Sequence, residues 1–342
     1  MKIVNHKFPV KTLDIISASV LIISLFMVAL CFAQNTPEQT LINGLEYAYQ
    51  GEFKRATDEF KNISKDDKNF AIAERVLSII EDVTSNRIKN KVAFHYFRGL
   101  SYSIKEQLDK AIAEYNKSIE LNENFIHAYS SRGAVYHTKG QYDSAIADYT
   151  KAIGINPRFA EAYNNRGIAY GKKGRYDNAI ADFTKVIEIN PVDVYAYKNR
   201  GFTYYTKGQY DNAIADFTKV IQINPVDAMV YLARGIAFAK KGKHDNAIAD
   251  FTKVIEINPR FTEAYNNRGF SFYHKGSYDK AISDYTRAIG INPRSAKAYN
   301  DRGCTYEAKG NVQMACSDWK MACELGECSS WEIAQKTRCL GK

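Results

Sequence analysis

From residue 92 to residue 329 the apolar and polar positions of this chain return in the same order every 34 residues. Number each unit from its own first residue, at 92, 126, 160, 194, 228, 262 and 296. Aromatic residues or Gly then fall at positions 4, 8 and 11, as Tyr163, Gly167 and Tyr170 do. That i, i+4, i+7 stripe predicts one helix face. Ala179, Phe183 and Val186, at positions 20, 24 and 27, form the matching stripe of a second helix. Between the stripes Lys-Gly recurs in six of the seven units, Lys173-Gly174 for example. Gly there suits the left-handed end of a helix, and Lys suits the negative end of its dipole. Asn-Pro closes five units, at Pro157, Pro191, Pro225, Pro259 and Pro293, because Pro cannot continue the preceding helix. Each unit reads as helix, turn, helix, a pair that must stack on its neighbours to bury its stripes.

Two columns break the simple apolar pattern. Position 8 is Gly in all seven units, at 99, 133, 167, 201, 235, 269 and 303. Gly inside a helix costs about 1 kcal/mol relative to Ala, so a close approach of the second helix is expected there. Arg precedes every one of these glycines, from Arg98 to Arg302, and position 23 is acidic throughout, from Glu114 to Asp318. An ion pair between helices is the simplest reading, either within one unit or across the junction to the next. The rival is an arginine row open to an anionic ligand, which pairing would make poorly available.

Tyr at 4, Gly at 8, Tyr or Phe at 11, Ala at 20, Phe or Tyr at 24, Ala or Val at 27 and Pro at 32 together resemble the tetratricopeptide repeat. Arg at position 7 departs from the family's apolar residue. The resemblance implies an all-α, right-handed superhelical solenoid of stacked antiparallel helix pairs. It also implies a non-catalytic scaffold that binds a protein or extended peptide in a concave groove lined by the first helices. A non-catalytic subunit positioning an envelope enzyme or secretion complex is the alternative. The family's groove columns carry Asn164, Asn266 and Asn300 at position 5, and Asn165, Asn199 and Asn267 at position 6, followed there by Asp301. Such a row resembles the asparagine ladder with which some members hold a peptide backbone, each amide donating and accepting at once. The bland reading is a tolerated polar residue on a solvated face. Position 9 runs Leu100, Ala134, Ile168, Phe202, Ile236, Phe270, Cys304, so the family's Lys and Asn clamp for a terminal carboxylate is not matched. Those residues suit packing between repeats as well as a ligand.

Residues 1–33 are different text, with Lys2, Lys7 and Lys11 ahead of an apolar run from Ile15 to Ala33. The pattern fits a cleaved secretory signal ending at Ala33, and its length also fits an uncleaved anchor. Either form places the repeats outside the cytoplasm, in a periplasm or at a cell surface, with membrane contact only through residues 13–33 if the anchor persists. Residues 34–91 read as a degenerate unit, with Gly44, Tyr47, Gly51, Ala56, Phe60 and Ile63 in the expected columns, plus an extra helix carrying Ile72, Val76, Ile79 and Val83. The seven regular units fill 92–329, and 330–342 is expected to be a capping helix.

The formal charge of +9 falls to +7 without the leader's three Lys and one Asp, and the basic residues alternate with acidic ones. No basic block marks a nucleic-acid surface, so no nucleic-acid partner is expected. Five of the six cysteines lie in the last 39 residues. Cys316 and Cys323 stand in columns that are Ile elsewhere and are expected as buried thiols. Cys328 and Cys339 fall outside the core columns, and in an oxidising compartment they are the expected disulfide. No spacing suits zinc, and the scattered His, among them His244 in a Tyr column, are expected in surface or packing roles. No nucleophile motif or phosphate loop stands out, so neither enzyme activity nor a cofactor is expected.

Overall fold

The computed structural model describes residues 36–335 and residue 339. The leader at 1–33 lies outside the described residues, as does most of 336–342. Among the described residues there are helices and turns and no strands, and no helix is long and apolar enough to cross a membrane. The chain divides into two compact units, one ending at Pro157 and the other starting at Arg158.

In the first unit, α1 (Pro37–Tyr49) and α2 (Phe53–Lys61) pair, as do α4 (Asn90–Ile104) with α5 (Leu108–Leu121) and α6 (Ile126–Thr138) with α7 (Tyr142–Ile155). The inserted segment forms α3 (Phe70–Thr84), which buries Val76, Ile79 and Val83. Its presence changes the stacking: among the helices before it α4 packs mainly against α1, whereas in the regular units a first helix packs against the preceding second helix.

The second unit is a solenoid of helix pairs: α8 (Ala160–Lys172) with α9 (Tyr176–Ile189), α10 (Val194–Thr206) with α11 (Tyr210–Ile223), α12 (Ala228–Lys240) with α13 (His244–Ile257), α14 (Thr262–His274) with α15 (Tyr278–Ile291), and α16 (Ala296–Ala308) with α17 (Val312–Glu324). Each second helix also packs on the first helix of the next pair. Asp193 and Asp227 help start two of these first helices, accepting hydrogen bonds from the Ala196 and Val230 amides at 2.8 and 3.2 Å. Gly174 ends α8 with φ at 72°, the left-handed conformation that its place after Lys173 suggested.

The position-8 glycines have the packing reason their cost demands. A Cβ on Gly201 would stand 2.8 Å from Phe217 Cε1, and one on Gly235 2.7 Å from Phe251 Cε1, so the second helix lays its aromatic ring directly on the first helix's backbone. Gly44 makes the same contact with Phe60 in the degenerate unit.

The arginine column is resolved as an ion pair within each repeat. Arg200 Nε and Nη2 donate to Asp216 Oδ2 and Oδ1, both at 2.8 Å, and Arg234, Arg268 and Arg302 hold Asp250, Asp284 and Asp318 in the same bidentate way. The third nitrogen ties the repeat to its predecessor, Arg200 Nη1 donating to Thr184 Oγ1 at 2.9 Å. Tyr197 and Tyr204 flank the same guanidinium, with ring centroids 5.7 and 5.8 Å from its Cζ. With the Arg200 side chain only 16 % exposed, the column is structural rather than an anion-binding row. Donating to the Asp216 carboxylate pushes the Arg200 guanidinium further above its already high range.

The turn lysines do more than face a helix dipole. Lys207, Lys241, Lys275 and Lys309 pair with Asp177, Asp211, Asp245 and Asp279, each in the preceding repeat. The carboxylates are well exposed, so each pair contributes only about 0–1 kcal/mol.

At the C-terminal end the expected Cys328–Cys339 bridge is not formed. Cys316 pairs with Cys339 and Cys323 with Cys328, so neither Cys316 nor Cys323 is a thiol. In earlier repeats the same two columns hold Ile, and the second of them, as Ile255, packs beside Tyr265 of the following repeat. After the last repeat the cysteine face of α17 meets Cys328, at the start of α18 (Ser329–Ala334), and Cys339. α18 supplies part of the cap, with Ala334 packed against Ala315 and Trp319. Cys304 remains a free, half-buried thiol.

Candidate functional site

The first helices of the second unit, α8, α10, α12, α14 and α16, line one face, and neighbours among them touch only lightly. Two cavities open between them. One, of about 430 Å³, is walled by Ile168, Gly171, Lys172 and Tyr176 of one repeat and by Asn199, Phe202 and Thr206 of the next. The other, of about 450 Å³, is walled by Ile236, Ala239, Lys240 and His244 with Asn267, Phe270 and His274, and reaches Lys297. Column by column these are the same site, formed twice, 68 residues apart.

The reason lies in a doubling of the period that a 34-residue alignment hides. Along 160–295 position 9 alternates Ile168, Phe202, Ile236, Phe270, and position 12 alternates Gly171, Tyr205, Ala239, Tyr273. Position 13 runs Lys172, Thr206, Lys240, His274. A small residue at position 12 leaves the space open: nothing lies within 4 Å of a Cβ built on Gly171. Phe202 and Phe270 are 38 % and 41 % exposed, so position 9 offers apolar surface here, whereas Leu100 in the same column of the first unit is buried.

The asparagines divide by position. Asn199 and Asn267, at position 6, border the two cavities. Asn199 Nδ2 donates to Asn164 Oδ1 at 3.1 Å, and Asn164 Nδ2 to Asn165 Oδ1 at 3.3 Å, so these three amides form one chain across a repeat junction. Asn267 Nδ2 is shielded from solvent without a hydrogen-bond partner, and the same is true of Oδ1 in Asn266 and in Asn300. Asn266 is only 8 % exposed, so it serves the packed interior more than the open face. Asp301 accepts a hydrogen bond from Lys297 Nζ at 2.6 Å.

His244 was expected to replace a Tyr in packing, and its surroundings are more polar than that. Its ring stacks parallel on His274 with centroids 5.0 Å apart, beside Phe270. Burial, and then the neighbouring His274, hold the His244 imidazole below its ordinary range, favouring the neutral ring. Among the described residues no group of three or more His, Cys, Asp or Glu is placed to hold a metal ion.

Tetratricopeptide repeat models match residues 160–193, 194–227, 228–261 and 262–295, and a further TPR repeat model matches 99–140 and 135–174. The chain belongs to the tetratricopeptide repeat family. Solved structures agree in fold. The C-terminal part of a TPR repeat-containing protein from Cytophaga hutchinsonii is 20% identical, with a TM-score of 0.61 over 69% of this chain and 96% of that one. A tetratricopeptide repeat protein from Parabacteroides merdae is 21% identical, with a TM-score of 0.53 over 72% and 96%. YrrB, described as a TPR protein with an unusual peptide-binding site, is 24% identical, with a TM-score of 0.51 over 57% and 97%. No curated protein matches the chain significantly. Tetratricopeptide repeats are a fold of protein-protein interaction, and this chain has that architecture.

Proposed function

We propose that the chain is a non-catalytic scaffold that holds an extended polypeptide segment along the first helices of its second unit. The observation that carries this reading is the pair of cavities on that face, each bordered by a position-6 asparagine, Asn199 or Asn267. An asparagine amide at a cavity border can donate to a carbonyl and accept from an N–H of a bound chain's backbone. The apolar walls add burial that does not depend on the ligand's backbone. Export of the repeats is part of the same proposal, supported by the leader's pattern and by two disulfides, which persist in oxidising compartments.

The test is selection of a random peptide library on the full chain, followed by titration of the enriched peptides against the combined variant Asn165→Ala, Asn199→Ala, Asn267→Ala. Loss of the backbone hydrogen bonds made by the cavity-bordering asparagines predicts affinity weakened roughly tenfold or more, with the helical circular dichroism unchanged. Undiminished affinity removes the asparagine row from the mechanism.

A further inference from the structure

The face holds one site twice, and that repetition restricts what it binds. We infer that the ligand is an extended polypeptide carrying two bulky apolar side chains about six residues apart, each beside an acidic residue; this rests on the groove-binding function proposed above.

The spacing follows from the period doubling. Packed helices lie about 8–10 Å apart, so first helices two repeats apart stand on the order of 20 Å apart. Extended chain rises about 3.3 Å per residue and covers that in about six residues. The apolar anchors follow from the walls: Ile168 and Phe202 frame one cavity, and Ile236 and Phe270 the other. Volumes of about 430 and 450 Å³ fall in the range of pockets that take a bulky group. The two central first helices, α10 and α12, add exposed apolar surface at their N-terminal ends. Tyr195 and Met229, 75 % and 49 % exposed, occupy position 2, where the flanking repeats have Glu161 and Glu263.

The acidic component follows from charge. Lys172 and Lys240 stand at the same corner of the two cavities, exposed, and neither has an acidic partner among the described residues. The carboxylates of Asp177 and Asp245, next to Tyr176 and His244 of the cavity walls, are neutralised by Lys207 and Lys275. Each cavity therefore presents an uncompensated positive charge, which attracts a carboxylate and repels a basic segment.

The test uses the full chain and synthetic peptides on a Gly-Ser background. One has two Phe-Asp pairs six residues apart, one has the pairs two residues apart, one has a single pair, and one replaces both Asp by Lys. The six-residue peptide should bind at least tenfold more tightly than the other three, because the second anchor engages intramolecularly. Gly171→Tyr and Ala239→Tyr each fill one cavity with the residue that alternate repeats already carry at that column, Tyr205 and Tyr273. Either variant should reduce the six-residue peptide to the affinity of the single pair. Lys172→Glu with Lys240→Glu should reverse the preference between Asp and Lys peptides, and it leaves the cavities open should the Tyr variants misfold. Equal affinity for all spacings, or no effect of these variants on library-selected peptides that still need the asparagines, overturns the twin-site inference and leaves the groove function standing. Failure of every peptide to bind, with mass measurements showing that the Tyr variants abolish self-association of the chain, overturns both in favour of a second copy as occupant.

Discussion

The two units solve the same packing problem with different materials. In the first, one continuous core runs from Leu41 through Ile79, Tyr96 and Phe97 to Val135, spanning helix pairs and the inserted helix alike. In the second, the buried apolar residues fall into small clusters, such as Ala213, Phe217, Val220, Val230 and Ala233, or Leu232, Ala247, Phe251, Val254 and Ala264. Between those clusters the repeats are joined by the Arg-Asp-Thr bonds. The ion pair loosens where the hydrophobic mass is greatest: Arg98 stands 3.8 Å from Glu114, while His95 Nδ1 takes that carboxylate at 2.7 Å. A large core can tolerate irregular polar contacts, whereas a repetitive array with thin clusters depends on every repeat making the same bond.

This contrast breaks most sharply under loss of an aromatic ring. Phe97 and Phe217 are both fully buried, and replacing either by Ala should cost about 3–5 kcal/mol. Hydrogen exchange should then differ: Phe97→Ala should lower protection across the whole first core, and Phe217→Ala chiefly in α10 to α12, as expected where each repeat interacts only with its neighbours. Equally widespread loss in both would mean the second unit is as cooperative as the first.

The ion pairs come next. Arg200→Leu strands the buried Asp216 carboxylate and should cost about 3 kcal/mol, most of it recovered when Asp216→Leu is added. Arg98→Leu, at a side chain 40 % exposed, should cost about 1 kcal/mol or less. Additive losses in the Arg200 cycle, read from melting curves, would show that the bond is incidental to the array.

The smallest effect is an acid sensitivity of the first unit set by one histidine. Burial, then the nearby Arg75 charge, push the His127 imidazole from its ordinary 6.5 to about 4, with Asp82 opposing. The ring is therefore neutral in the folded protein where the unfolded chain already binds a proton. Stability from His127 is intact above pH 6.5 and is lost as pH falls toward 4, on the order of 2 kcal/mol. Urea midpoints for the first unit should drop over that window, and His127→Phe should flatten the drop.

The columns of one 34-residue unit were enough to read helix pairing, the glycine contact, the Arg-acid pair and the inserted helix, because each follows from periodicity or from the cost of an unexplained residue. Three features escaped. The twin cavities needed alignment at 68 residues, where Gly171 matches Ala239 and Lys172 matches Lys240. Lys207 with Asp177 was missed because the partners lie thirty residues apart on successive repeats, a distance no local pattern joins. The cysteine pairing differs from the expectation because the column's role came from repeats followed by another helix pair, whereas α17 is followed by α18 and Cys339.

What the sequence by itself determined is the repeating unit: local stripes, turn glycines and closing prolines specify each helix pair through interactions within 34 residues. Only the tertiary structure decided whether Arg200 bonds within its repeat, which asparagines border open space, where a small side chain leaves a cavity and which cysteines meet. Those outcomes depend on how one repeat rests on the next. That geometry is set by the sum of many inter-helix contacts, and no single column encodes it.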